Sequence, residues 1–155
     1  MRSGAGTALS HVIFVMLAWP AIVLADTPCG TRFLGTWRIT GSVAAPWNEP
    51  VAAQDTREAR RLAGRRLTFT SRAILGPRPL GCSRPSYKIK EYAADMLFQG
   101  TLTDAKRQAA VLGFTLLPVR TLETGCEGLI DFHFVDARTA KFALSNRIFT
   151  IRRGS

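Results

Sequence analysis

Acidic side chains are scarce in this chain. Eleven aspartates and glutamates stand against 21 lysines and arginines, for a formal net charge of +10. That balance favours an anionic partner such as a lipid headgroup, an acidic polymer or nucleic acid. Histidine is nearly absent: His11 and His133 are the only two, and His11 falls in the segment assigned below to export. One remaining histidine, with three cysteines and no Cys-x-x-Cys spacing, argues against a zinc site. The chain has no Gly-rich phosphate loop, no His-x-x-x-His pair and no Gly-x-Ser-x-Gly elbow. No catalytic residue, metal or cofactor is therefore expected. Long apolar runs are missing after residue 25. Ala109–Val119 is apolar but short, and Gly113 and Pro118 break it, so no later segment is expected to span a bilayer.

What is present begins with an export signal. Arg2 supplies a positive start, and Val12–Leu24 is an apolar core interrupted only by Trp19-Pro20. Val23-Leu24-Ala25 places apolar and small residues where a signal peptidase reads them, so residues 1–25 read as a cleaved signal peptide and Asp26 as the mature start. The destination is the periplasm or the exterior. Residues 26–32 form an N-terminal segment and 33–153 one domain, within the size range that buries its own core. In an oxidising compartment Cys29, Cys82 and Cys126 suggest one disulfide and one free thiol, with three pairings open. Cys82 and Cys126 sit at Gly-flanked turns inside the body, which favours that pair.

The pattern along the chain is mainly β. Residues 33–40 read as a strand with Trp37 and Ile39 on one face, and 41–50 as a loop. Asp55–Leu62 reads as a short helix, with Asp55 as N-cap, Glu58 three residues on and Gly64 as the stop. Arg65–Thr70 is a strand with Leu67 and Phe69 inward, and Gly76-Pro77-Arg78-Pro79 is a break. Further strands are expected at Tyr87–Tyr92, Asp95–Leu102 and Leu116–Leu122. A second helix is expected at Asp104–Leu112, ended by Gly113. Residues 130–152 read as a meander: Ile130, Phe132 and Phe134 alternate with Asp131 and His133, Phe142 and Leu144 point inward, and Ser145-Asn146 makes the last turn. The expected fold is a small antiparallel barrel or curved sheet with one or two short helices.

Gly35-Thr36-Trp37 on the first strand resembles the Gly-x-Trp motif of the lipocalin and calycin barrels. The resemblance implies a barrel whose floor is closed by Trp37, covered by an arginine of the last strand, Arg147 or Arg152. This chain departs from that pattern in its shorter length, in its helices at 55–62 and 104–112, and in ending on a strand. The Gly-Cys, Asp-Phe-His-Phe and Asn-Arg-Ile-Phe-Thr segments also resemble proteobacterial exported proteins of unassigned role.

Two candidate sites follow. Inward Trp37, Phe69, Phe132, Phe134 and Phe142 are placed to line an apolar ligand cavity. Arg57, Arg60 and Arg61 share a helix stripe, and Arg65 and Arg66 follow, giving an anion-binding edge. Nucleic acid fits poorly, because the only aromatic near that edge is Phe69, which points inward. His133 and Asp131 read as outward polar residues rather than an acid–base pair. The expected function is a non-enzymatic binding protein for a small apolar or amphipathic ligand. The alternative is a cell-envelope interaction module, an inhibitor or adaptor, with a filled core and a basic edge.

Overall fold

A computed structural model describes residue 1 and residues 32–47, 53–128 and 130–154. The expected signal peptide after Met1, Cys29 and residues 48–50 lie outside the described residues, and the start of the expected 41–50 loop is corrected: the first strand runs on to Ala44, paired along the last strand. Nine strands form a single antiparallel sheet: β1 (Gly35–Ala44), β2 (Arg66–Phe69), β3 (Ala73–Leu75), β4 (Cys82–Ser83), β5 (Lys88–Tyr92), β6 (Val119–Glu123), β7 (Phe132–Phe134), β8 (Thr139–Leu144) and β9 (Arg147–Arg153). Their order across the sheet is β4-β3-β2-β1-β9-β8-β7-β6-β5. The sheet is therefore a meander folded back on itself, with β9 returning beside β1. It curls into a half-barrel.

Local chemistry explains the curl and the turns. β1 pairs with β2 over its first residues, then breaks register between Ile39 and Gly41 while it continues along β9. Such an irregularity bends a strand and raises its twist. Ser145 and Asn146 both take positive φ, 47° and 58°, in the two-residue turn joining β8 to β9. That primed geometry matches the twist of the flanking strands. The two sheet edges are tied together. Cys82 on β4 is bonded to Cys126 beyond β6, Ser86 N–H donates to the Thr124 carbonyl at 2.8 Å, and the Tyr87 hydroxyl donates to the Thr70 carbonyl at 2.9 Å.

Among the described residues three short helical segments accompany the sheet, where one or two were expected: α1 (Ala53–Leu62), a 3₁₀ segment (Ala94–Gly100) and α2 (Ala105–Val111). α1 starts two residues before Asp55, so Asp55 is a buried residue inside the helix and not its N-cap. Leu62 and Ala59 turn α1 toward the interior core. The expected strand at 95–102 is corrected to the 3₁₀ segment. Its apolar run Met96-Leu97-Phe98 breaks with positive φ at Phe98 and Gln99, which drives Leu97 and Phe98 into the protein.

The fold has two cores, one on each face of the sheet. Inside the curl, Trp37, Ile39, Leu67, Phe69, Phe132, Phe142 and Ile151 pack with Leu62 of α1. On the other face, the 3₁₀ segment and α2 lie as a flap that packs Leu97, Phe98, Leu112 and Phe114 with Val119 and Ile148 of the sheet. Among the described residues no helix is long and apolar enough to cross a membrane.

Candidate functional site

The strand directions bring one set of ends to a common rim. β1, β6 and β8 start there, and β2, β7 and β9 finish there. Trp37 lies just inside this rim, 1% exposed, with its indole N–H donated to the Phe33 carbonyl at 2.8 Å. Arg153, not Arg147 or Arg152, covers it: the guanidinium carbon sits 5.8 Å from the Trp37 ring centroid. Register is the reason. Arg153 pairs directly with Trp37, so alternation sends Arg152 to the opposite face. Arg147 lies at the far end of β9, bonded to Ser42. Arg153 also donates to the carbonyls of Arg32 and Leu34, which fixes the chain entering β1.

Above Trp37 the rim opens into a hollow of about 370 Å³. Phe33, Phe114, Phe134, Leu116 and Val119 supply apolar walls, Arg32, Arg120 and Arg153 supply positive charge, and Asp136 supplies one carboxylate against these three cations. The Arg120 guanidinium lies 5.9 Å from the Phe134 ring centroid, and Phe134 in turn lies 5.9 Å from Trp37. This combination of apolar wall and fixed cation suits an amphipathic molecule with an anionic head.

Of the five aromatics expected to line a cavity, Phe134 reaches this hollow and Trp37 lies beneath it. Phe69, Phe132 and Phe142 pack into one another deeper in. Phe69 meets Phe132 edge to face at 5.1 Å, and Phe132 meets Phe142 at 5.2 Å. Phe33, Phe114, Arg120 and Arg153 are among the lining residues that sequence reading missed. The Gly113 helix stop just before Phe114 was the nearest signal.

Of the five expected anion-binding arginines, Arg57, Arg60 and Arg61 lie on α1, Arg65 just before β2 and Arg66 at its start. Arg61 is partly committed: it pairs with Glu58 at 2.9 Å and donates to the Arg78 carbonyl at 2.9 Å. Arg65 and Arg66 flank a shallow hollow against Leu75 and Pro77.

His133 departs from expectation. It does lie on the sheet face opposite Phe132, but the flap covers that face and the ring is 1% exposed. Phe98 N–H donates to Nε2 at 3.1 Å, so the ring proton is on Nδ1, which donates to Thr121 Oγ1 at 2.9 Å. Nε2 thus holds the flap through Phe98, and Nδ1 anchors the ring to β6 through Thr121. Burial pushes the pKa down to about 3. Nearby Asp131, half-buried, is raised to about 6 by burial and then by Glu123. Tyr92 donates to Glu123 at 2.7 Å, and Lys90 pairs with the same carboxylate at 2.8 Å. The bond from Lys90 and then that from Tyr92 hold Glu123 below the usual carboxylate range. Among the described residues no group of three or more His, Cys, Asp or Glu side chains is placed to hold a metal ion.

No protein-family model matches the chain, and no curated protein or solved structure matches it.

Proposed function

We propose that the chain is an exported, non-enzymatic binding protein, acting in the periplasm or outside the cell, for a small amphipathic molecule. One observation carries this reading: the hollow at the strand rim, with Phe33, Phe114 and Phe134 as walls and Arg120 and Arg153 beside them. Its volume of about 370 Å³ falls within the range of small-molecule sites. The interior below is packed with aromatic rings, so the ligand sits in the rim and rests on the Trp37 layer. The lipocalin-like reading fits the same picture, a curled antiparallel sheet that holds its ligand at one end. The Cys82–Cys126 bond suits an oxidising compartment.

Calorimetric titration with a medium-chain fatty acid and with the matching alcohol tests the reading. One-to-one binding of the acid, tighter than the alcohol, is expected. Arg120→Gln should weaken the acid about tenfold and leave the alcohol unchanged, because it removes a charge-assisted contact. No saturable binding of either compound would overturn the reading.

A further inference from the structure

Strand register assembles a row of arginines that are far apart in sequence. Arg66 on β2 stands opposite Arg38 on β1, and Arg38 stands opposite Arg152 on β9. All three are exposed. Neighbouring strands lie about 4.8 Å apart, so the three side chains leave the outer face side by side, with the Arg38 guanidinium also donating a long bond, 3.5 Å, to the Gly64 carbonyl. This is the face turned away from Trp37 and Leu67. Hydroxyls flank the row. Thr36 and Thr68 sit on one side with their oxygens 3.0 Å apart. On the other, Thr150 accepts from the Lys141 ammonium at 2.9 Å. Leu75 stands opposite Thr68 on the same face and is 58% exposed.

Acidic residues are missing from the strands that carry and flank the row. β1, β2, β8 and β9 contain no aspartate or glutamate. The ion pairs Arg61–Glu58, Lys90–Glu123 and Arg107–Asp104 lie elsewhere. Like charges directly opposite one another destabilise a sheet. An external array of anions removes that penalty.

We propose that the outer face of β2-β1-β9 docks on the phosphate headgroups of an anionic lipid surface. Guanidinium forks and hydroxyls are the donors that match phosphate oxygens. The row is an open sheet face whose hollow beside Arg66, Thr68 and Leu75 is shallow, and the face meets a planar array of phosphates along its whole width. The face offers no aromatic ring for a nucleic-acid base to stack on. It offers instead an exposed leucine beside the cations, which suits the boundary between headgroups and acyl chains. The net charge of +10 steers the approach.

Co-sedimentation of the mature protein with vesicles tests the proposal. The vesicles are phosphatidylcholine alone or mixed with phosphatidylglycerol, at low and moderate salt. Binding to the mixed vesicles alone is expected, falling steeply as salt screens the charges. The triple variant Arg38→Gln, Arg66→Gln, Arg152→Gln should lose roughly a hundredfold in partition, from three basic residues at an anionic surface. Its thermal unfolding midpoint should stay equal or rise, and its fatty-acid affinity should be unchanged, which separates this face from the rim hollow. A charge-reduced control, Lys106→Gln with Arg107→Gln on α2, should partition close to wild type. Equal partition of wild type and triple variant would overturn the proposal. So would equal binding to both vesicle types, or a preference for duplex DNA or a polyuronate over the mixed vesicles.

Discussion

Lowering the pH from 8 to 5 should cost the folded domain about 2 kcal/mol through His133 alone. A proton on Nε2 would place a charge in the buried space beneath the flap, where Phe98 N–H now donates to the neutral ring. The folded pKa is therefore about 3, against an ordinary 6.5. The unfolded chain takes up its proton near 6.5 and the folded chain does not. The stabilisation is present above pH 6.5 and is lost as pH falls toward 3. At pH 5 the unfolded ring is about thirtyfold biased to its protonated form, which at RT ln 30 is about 2 kcal/mol. Asp131 works in the opposite sense. Its folded pKa, about 6 against 3.8, means that its contribution is full below 3.8 and is lost as pH rises through 6. Solvent reaches half of Asp131, so screening leaves it only a partial offset. Asp131→Asn removes that offset. Urea unfolding of both proteins at pH 8, 6.5 and 5 should show the variant losing about 2 kcal/mol and the wild type less. A flat profile in Asp131→Asn, or an NMR titration placing His133 above pH 6, would refute the reasoning.

Three further outcomes follow from packing. Trp37→Ala removes a buried ring together with its bond to Phe33, and should cost about 3–5 kcal/mol by chemical denaturation. Replacing both Cys82 and Cys126 with Ser opens a loop of sequence separation 44 and should cost about 4 kcal/mol, read the same way. Gly125→Ala should lower stability by about 1–3 kcal/mol in thermal unfolding. Gly125 has φ +63°, and an added Cβ would stand 3.0 Å from Ser86 Cβ and 3.2 Å from its carbonyl oxygen.

Features set by short-range chemistry are legible in the order of residues alone. Alternation put Trp37, Leu67, Phe69 and Phe142 inward, Ser145-Asn146 announced its turn, and Gly113 ended α2 at φ +91°. The Gly-flanked placement of Cys82 and Cys126 pointed to the bond that ties the edges. Long-range register was not legible. Alternation assigned His133 to the second face but did not say that residues 94–112 would fold over it. An apolar triplet, Met96-Leu97-Phe98, satisfies a strand pattern as well as it satisfies a buried 3₁₀ turn. The pairing of β1 with β9, shifted at Ile39, decided that Arg153 covers Trp37. The same pairing put Arg152 in the outer row with Arg38 and Arg66. The candidate site suffered most from this blindness, because its walls come from separate stretches of chain that meet only at the rim.

The central claim is that the rim hollow holds an amphipathic ligand above Trp37. NMR of the mature protein, titrated with a medium-chain fatty acid, tests it most directly. Saturable shifts are expected at the Phe33, Phe114 and Phe134 rings and at the Trp37 indole N–H, with Phe142 in the packed interior unmoved. Shifts scattered over the surface without saturation, or confined to residues outside the rim, would contradict it.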